Sequence, residues 1–233
     1  MRLARTNGMS EPLEPPGEAP PTPVVAEHAL IRPIGAGSGG NVWLAKNALG
    51  TCRAVKIVYR KSFSWAKAYD DELHGLLKYE PLSRQHDGLV DVLQVGGNAE
   101  AGYFYYVMEL ADDVQTGPNI NPDQYEPRTL AHDLDGRRRL PIGECIRLGA
   151  SIASALHFLH RQGLIHRDVK PANIVFVNGF PKLADAGLVT EMSDASLRVG
   201  TEGFIAPEGP GTARADIYSL GKVLYQISTG NIS

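Results

Sequence analysis

Hydrophobic and polar residues change period several times along this chain, and each change marks a predicted element. Residues 29–34, 43–46 and 53–59 are short apolar-rich runs that read as strands, the last with period-two alternation. In the last of these, Ala54, Lys56 and Val58 share one face. The period lengthens over 66–77, where Leu73, Leu76 and Leu77 give a helix an apolar face. Two more strands, 89–96 and 103–110, flank a turn around Gly96, Gly97 and Asn98. Residues 112–141 break the pattern with Gly117-Pro118, Asn121-Pro122 and Pro127. That connection is longer than most and reads as a flexible insert or a lid near a cleft. Helical spacing returns over Ile142–Arg161, through Ile142, Ile146, Ile152, Leu156 and Leu159, until Gly163 ends it. A polar loop (166–173) and an apolar hairpin turning at Asn178-Gly179 follow. A last helix, 213–230, spaces Ile217, Leu220, Val223, Leu224 and Ile227 for burial. The pattern predicts a small unit of five strands and one helix (25–111), then a larger, mostly helical unit (112–233).

Composition narrows the class. The chain has 233 residues, enough for two lobes around a shared cleft. Hydrophobic content of 43% with 21% charged residues is ordinary for a globular protein, and a net charge of -3 predicts neither nucleic acid nor an anionic membrane as partner. Arg137-Arg138-Arg139 reads as a solvated loop. Residues 1–24 carry six of the 16 prolines and almost no large apolar side chains, so they are expected to be an inert, disordered tail, with order starting near Ala29. No apolar segment follows Arg2 and Arg5 as in a signal peptide, and no run of about 18 apolar residues predicts a membrane span. Cys52 and Cys145 lie outside any metal-ligand spacing and read as reduced, packed thiols of a cytoplasmic protein. His157 and His160 lack neighbouring ligands and read as surface or packing residues.

Chemistry concentrates in two places. Residues 35–42 form a glycine-rich turn between two predicted strands, where backbone N–H groups can approach a polyphosphate. A dinucleotide-binding version would continue into a helix. Val42-Trp43-Leu44-Ala45 continues as a strand instead. Farther on, Asp168, Lys170, Asn173 and Asp185 supply carboxylate or amide oxygens and an ammonium on turns between strands, which suits metal-bound phosphate.

His166-Arg167-Asp168-Val169-Lys170-Pro171-Ala172-Asn173 resembles the catalytic loop of eukaryotic-type (Hanks-type) Ser/Thr protein kinases, and Asp185-Ala186-Gly187 resembles a variant of their Asp-Phe-Gly motif. The resemblance runs over residues 29–230. It implies an α+β, two-lobed protein-kinase-like fold, with a small antiparallel-sheet lobe plus one helix and a larger helical lobe lacking its last helices. It implies ATP and Mg²⁺ as cofactors and a protein Ser/Thr hydroxyl as acceptor. Asp168 would then be the catalytic base, Lys170 would stabilise the γ-phosphate, and Asn173 and Asp185 would hold the metal. The ATP site would take Ile34, Gly35, Ala36, Gly37, Gly40 and Val42 from the glycine loop. Ala54 and Lys56 would come from the next strand, with Glu72, rather than Asp71 or Glu80, as the partner of Lys56. Met108 would stand at the back of the adenine pocket, Glu109 to Ala111 would be the hinge, and Val175 would also belong to the ATP site. The activation segment would include Thr190, Ser193 and Ser196, where a phosphate could pair with Arg167. Thr201 would lie in the peptide-binding stretch and Glu208 in Ala206-Pro207-Glu208.

Two departures stand out. Ala186 replaces the usual Phe, leaving short of volume a column between His166 and the Glu72 helix near Leu76. The chain also stops after 213–230, whose Asp216 would tie the helix to the catalytic loop, so Glu208 lacks the arginine that normally pairs with it and is expected as an unpaired buried charge. The lobe would be completed by a partner or a missing segment. A nucleotide-binding pseudokinase is the chief rival reading, and residues 200–208 disfavour a small-molecule phosphotransferase.

Overall fold

The computed structural model describes residues 23–37, 39–191, 201–209 and 211–231, with backbone only at 186 and 191. The expected tail therefore lies outside the described residues up to position 22. Order starts earlier than Ala29: the Val24 N–H donates to the Tyr103 hydroxyl and Ala26 N–H to the Tyr105 hydroxyl.

Five antiparallel strands form the first lobe: β1 (His28–Gly37), β2 (Gly40–Asn47), β3 (Cys52–Tyr59), β4 (Val92–Asn98) and β5 (Tyr103–Met108), in spatial order β1-β2-β3-β5-β4. Pro33 sits in the edge strand β1, where a missing N–H costs no ladder bond. Alternation sends Ala54, Val58, Phe104, Tyr106 and Met108 into the main core. The opposite face buries Val55, Ile57, Tyr103, Tyr105 and Val107 under Val25.

Helix α1 (Ala66–Ser83) is longer than the apolar pattern indicated. Its buried face is Tyr69, Glu72, Gly75, Leu76, Tyr79 and Ser83. Leu77, one position past Leu76, is swung about 100° off that face and is exposed. Strand β4 starts at Val92, not Leu89, and Gly96, Gly97 and Asn98 are inside it; the turn lies at 99–102. Leu89 and Val90 instead join the lobes. Leu89 bridges Leu183, and Val90 N–H donates to the Leu183 carbonyl.

The 112–141 connection is partly helical, against the loop expected. Helix α2 (Leu130–Arg137) is capped by Thr129, whose hydroxyl accepts from the His132 N–H. Before it, the Asp113 carboxylate accepts from the N–H groups of Gln115, Thr116 and Glu126 and from the Thr116 hydroxyl, folding 113–126 into an ordered loop. These bonds hold its carboxyl below the usual range despite burial. Arg137, Arg138 and Arg139 are exposed, as expected, although Arg137 closes α2 rather than lying in a loop.

Helix α3 (Ile142–Arg161) buries Cys145, Leu148, Ile152, Ala155, Leu156 and Leu159. Ile142 and Ile146 precede that stripe on another face and are exposed, contrary to the spacing argument. α3 is the one described helix long and apolar enough to cross a membrane by length and composition, but its apolar stripe packs in the core of this lobe. Strand β6 (Leu164–Ile165) pairs with β9 (Thr190–Glu191), and β7 (Ile174–Val177) with β8 (Phe180–Leu183). The β7–β8 turn is Asn178-Gly179, both residues at positive φ (50° and 78°), as a two-residue hairpin requires. Helix α4 (Ala213–Thr229) buries Leu220, Val223 and Ile227 and half-buries Leu224, while Ile217 is exposed.

Candidate active site

The loop after β6 is held from beneath by α4. One oxygen of the buried Asp216 carboxylate accepts from the His166 N–H at 2.8 Å, and the other from the Arg167 N–H at 2.8 Å. His160 Nε2 lies 2.8 Å from Asp216 Oδ2. Sequence reasoning placed Asp216 here but missed His160. No local pattern links residues 56 positions apart. The His166 Nε2 is 3.1 Å from the Ala184 carbonyl, tying this loop to the segment after β8. Arg167 (φ 71°) and Asp185 (φ 64°) both have left-handed backbones, which non-glycine residues keep only where surrounding bonds enforce them.

Asp168 is the centre of a dense grip. Its Oδ2 accepts from Asn173 Nδ2 at 2.8 Å and faces Lys170 Nζ at 2.8 Å. Its Oδ1 accepts from the Thr201 hydroxyl at 2.6 Å, and Lys170 donates to that hydroxyl at 2.7 Å. Asn173 Nδ2 also donates to the Asp168 carbonyl. Both amide hydrogens are thereby used, and Asn173 Oδ1 is left as an acceptor. The segment carrying Thr201 is moored to α4 by the Ser219 hydroxyl, which donates to the Phe204 carbonyl.

Facing this grip is the Lys56 ammonium. It donates to Asp185 Oδ1 at 2.6 Å and lies 3.6 Å from Glu72 Oε1, so the lysine favours Asp185 over Glu72. Burial works against the Lys56 charge. The nearby Tyr106 phenol, Asp185 and Glu72 outweigh it and hold its pKa above the ordinary lysine value. Burial pushes Glu72 up to about 7, only partly opposed by Lys56. Asp185 is also desolvated, but Lys56 and the Gly187 N–H hold its carboxyl below the usual range. Asp185 Oδ2 lies 3.3 Å from where a β-carbon on Gly37 would stand, which places the glycine turn directly over this oxygen. Asp185 Oδ2 and Asn173 Oδ1 are oxygens of the kind that a hard divalent cation takes, on residues that line the same cavity.

A cavity of about 220 Å³ opens beside these groups. Of the sequence-predicted site residues, Ile34, Gly35, Ala36, Gly37 and Val42 roof it. Ala54, Lys56, Met108, Glu109 and Ala111 form its back and hinge edge, and Asn173, Val175 and Asp185 its floor. Glu72 stands behind Lys56 rather than in the cavity wall. Gly40 does not line it either: a β-carbon there would sit 1.8 Å from the Ile57 carbonyl oxygen, so this glycine serves the β2–β3 approach. Tyr106, Val90, Ala172 and Ala184 were missed. Tyr106 was within reach, lying two residues before Met108 on the same strand face. Tyr125, Pro127 and Thr129 also line the cavity, and they come from the connection whose conformation was not legible.

Thr190 is half-buried and pairs with Ile165. Ser193, Ser196 and the side chain of Ala186 lie outside the described residues. Glu208 is exposed, so the expected buried unpaired charge does not arise: water solvates it.

A family model described as the protein kinase domain matches residues 28–233. The DNA damage-responsive serine/threonine-protein kinase RqkA of Deinococcus radiodurans is 29% identical over 227 residues, covering 91% of this chain and 31% of that protein. Serine/threonine-protein kinase PrkC of Bacillus subtilis is 28% identical over 223 residues, covering 90% of this chain and 31% of its own. Sperm motility kinase 2B of Mus musculus is 30% identical over 220 residues, covering 89% and 40%. The chain thus spans between 31% and 40% of the length of these curated relatives.

Proposed function

Because this chain belongs to the protein kinase domain family, we propose that it transfers the γ-phosphate of ATP, bound with Mg²⁺, to a serine or threonine hydroxyl of a protein substrate. The observation that carries this reading is the grip on Asp168. Its carboxylate already receives a threonine hydroxyl at 2.6 Å, and Lys170 lies 2.8 Å from the same carboxylate. An acceptor hydroxyl in that position would be aimed, and its proton would have a base. Asn173 Oδ1 and Asp185 Oδ2 would hold the cation, and Lys56 with the backbone N–H groups of the glycine turn would hold the phosphates. Bound Mg²⁺ would neutralise charge on the transferring group. Cys52 and Cys145, free thiols in this fold, support a reducing, cytoplasmic setting. The exposed Ile217, Tyr218 and Tyr225 of α4 offer a face for a partner or further chain to cover.

The test is phosphate transfer from Mg-ATP to a generic basic protein, by the unsubstituted chain and by Asp168→Asn. Transfer by the first, falling about a hundredfold or more in the second with nucleotide binding retained, is the expected result. Nucleotide binding without transfer in both would select a non-catalytic nucleotide-binding module. Transfer to a small hydroxylated compound alone would select the small-molecule phosphotransferase.

A further inference from the structure

Two carboxylates and one aromatic ring stand around the Lys56 ammonium. The carboxylates reach it from other elements: Glu72 from α1, at 3.6 Å, and Asp185 from the segment after β8, at 2.6 Å. The ring comes from the lysine's own sheet. Strand β5 pairs with β3 in a register that sets Tyr106 directly opposite Lys56. Residues so paired project from the same face of a sheet, with β-carbons about 5 Å apart. Here that face backs the cavity, which both residues line. The Lys56 Nζ stands over the Tyr106 ring, 5.9 Å from its centroid. Each of the two residues is 1% exposed. An ammonium is attracted to an aromatic face weakly in water and more strongly where both groups are desolvated, as they are here.

The Tyr106 hydroxyl makes no hydrogen bond among the described residues, so the ring face is what this side chain turns to the lysine. Burial pushes the phenol up, so the ring stays uncharged across the physiological range. The three contacts therefore differ in what they leave of the lysine's charge. A carboxylate at contact distance offsets much of it and competes with any other anion. An aromatic face attracts through its quadrupole and carries no net charge. It can hold the ammonium in place and leave the charge for a phosphate. Strand pairing also keeps Tyr106 beside Lys56 when α1 or the segment after β8 shifts.

Resting on the nucleotide reading above, we propose that Tyr106 is a positioning residue: its ring face aims the Lys56 ammonium at the phosphates of a bound nucleotide without neutralising it.

The experiment is calorimetric titration with Mg-ADP and with adenosine, which has no phosphates, in the unsubstituted protein, Tyr106→Phe and Tyr106→Leu. The ratio of the two affinities isolates what the phosphates contribute. Tyr106→Leu keeps a buried apolar side chain but removes the aromatic face, and the ratio should fall about three- to tenfold. Tyr106→Met, whose flexible chain fills irregular space, is the second ring-free variant should the leucine variant fail to fold. Tyr106→Phe keeps the face and should hold the ratio within about twofold of the unsubstituted protein. A merely structural role, or a ring that only packs against the base, would weaken both ligands together and leave the ratio where it was. An unmoved ratio in the ring-free variant, or an equal fall in Tyr106→Phe, would overturn the inference while leaving the nucleotide reading intact. Failure of the unsubstituted protein to bind Mg-ADP would overturn both.

Discussion

Gly187 stands at the most crowded point of the site. A β-carbon there would lie 2.6 Å from Glu72 Oε1, 2.8 Å from Lys56 Nζ and 3.0 Å from Asp185 Oδ1, all inside van der Waals contact. Gly187→Ala would have to push these three charged groups apart. A misplacement of about 1 Å in a reacting constellation costs on the order of a hundredfold in rate, and that loss in kcat, measured with a fold check by circular dichroism, is the expected outcome. Glu72 gives a pH-dependent prediction. Its folded pKa of about 7 exceeds the ordinary glutamate value of 4.5, so between these values the native state holds a proton the unfolded chain has released. Stability from this group is therefore full below about pH 4.5 and falls as pH rises toward 7. Glu72→Gln removes that dependence. The melting temperature of the variant relative to the unsubstituted protein should rise between about pH 5 and pH 8, by the equivalent of about 1–3 kcal/mol. A difference that stays flat with pH would refute a raised Glu72.

At the scale of elements, helix α4 acts chiefly through one residue. Asp216 satisfies two buried backbone N–H groups of the 166–173 loop and faces His160 from α3. Asp216→Ala would leave those donors without partners. The expected loss is about 2–5 kcal/mol, seen as a lower melting temperature and as faster amide exchange at His166 and Arg167. Protection at those two amides equal to that of the unsubstituted protein would show that the loop is held by other means. α1 is placed by contact rather than by charge alone. A β-carbon on Gly75 would lie 2.0 Å from the Val189 carbonyl oxygen, so the helix carrying Glu72 rests directly on the segment after Gly187.

At the scale of the whole molecule, one hydrophobic cluster runs through both lobes. It joins Ala54, Val58 and Phe104 of the sheet to Leu148, Ile152 and Leu156 of α3. Residues 88–90 pair with Leu183, and Lys182 bonds Glu109 at 2.5 Å with Asp91 3.6 Å away, stapling β8 to the hinge. A continuous core predicts one cooperative unfolding transition rather than one per lobe. Coincident midpoints by circular dichroism and tryptophan fluorescence are expected, since Trp43 and Trp65 report on the first lobe; separated midpoints would contradict it.

Local and tertiary information divide according to where each property resides. The sequence by itself determined the strands of the first lobe apart from the bounds of β4, and α3, the Asn178-Gly179 hairpin and the cluster of Asp168, Lys170, Asn173 and Asp185. Those features rest on periodicity, turn chemistry and spacing along neighbouring residues. Tertiary structure alone decided the rest. Periodicity finds an apolar stripe but not what covers it, so Leu77, Ile142, Ile146 and Ile217 were misjudged. The resemblance names Glu72 as the acidic partner of Lys56, and only the fold shows Asp185 nearer, at 2.6 Å against 3.6 Å. The ordered loop 113–126 was illegible because it is held by bonds of the Asp113 carboxylate, of the Tyr125 hydroxyl to the Ala111 carbonyl and of Arg32 to the Pro122 carbonyl, between groups that no local pattern brings together.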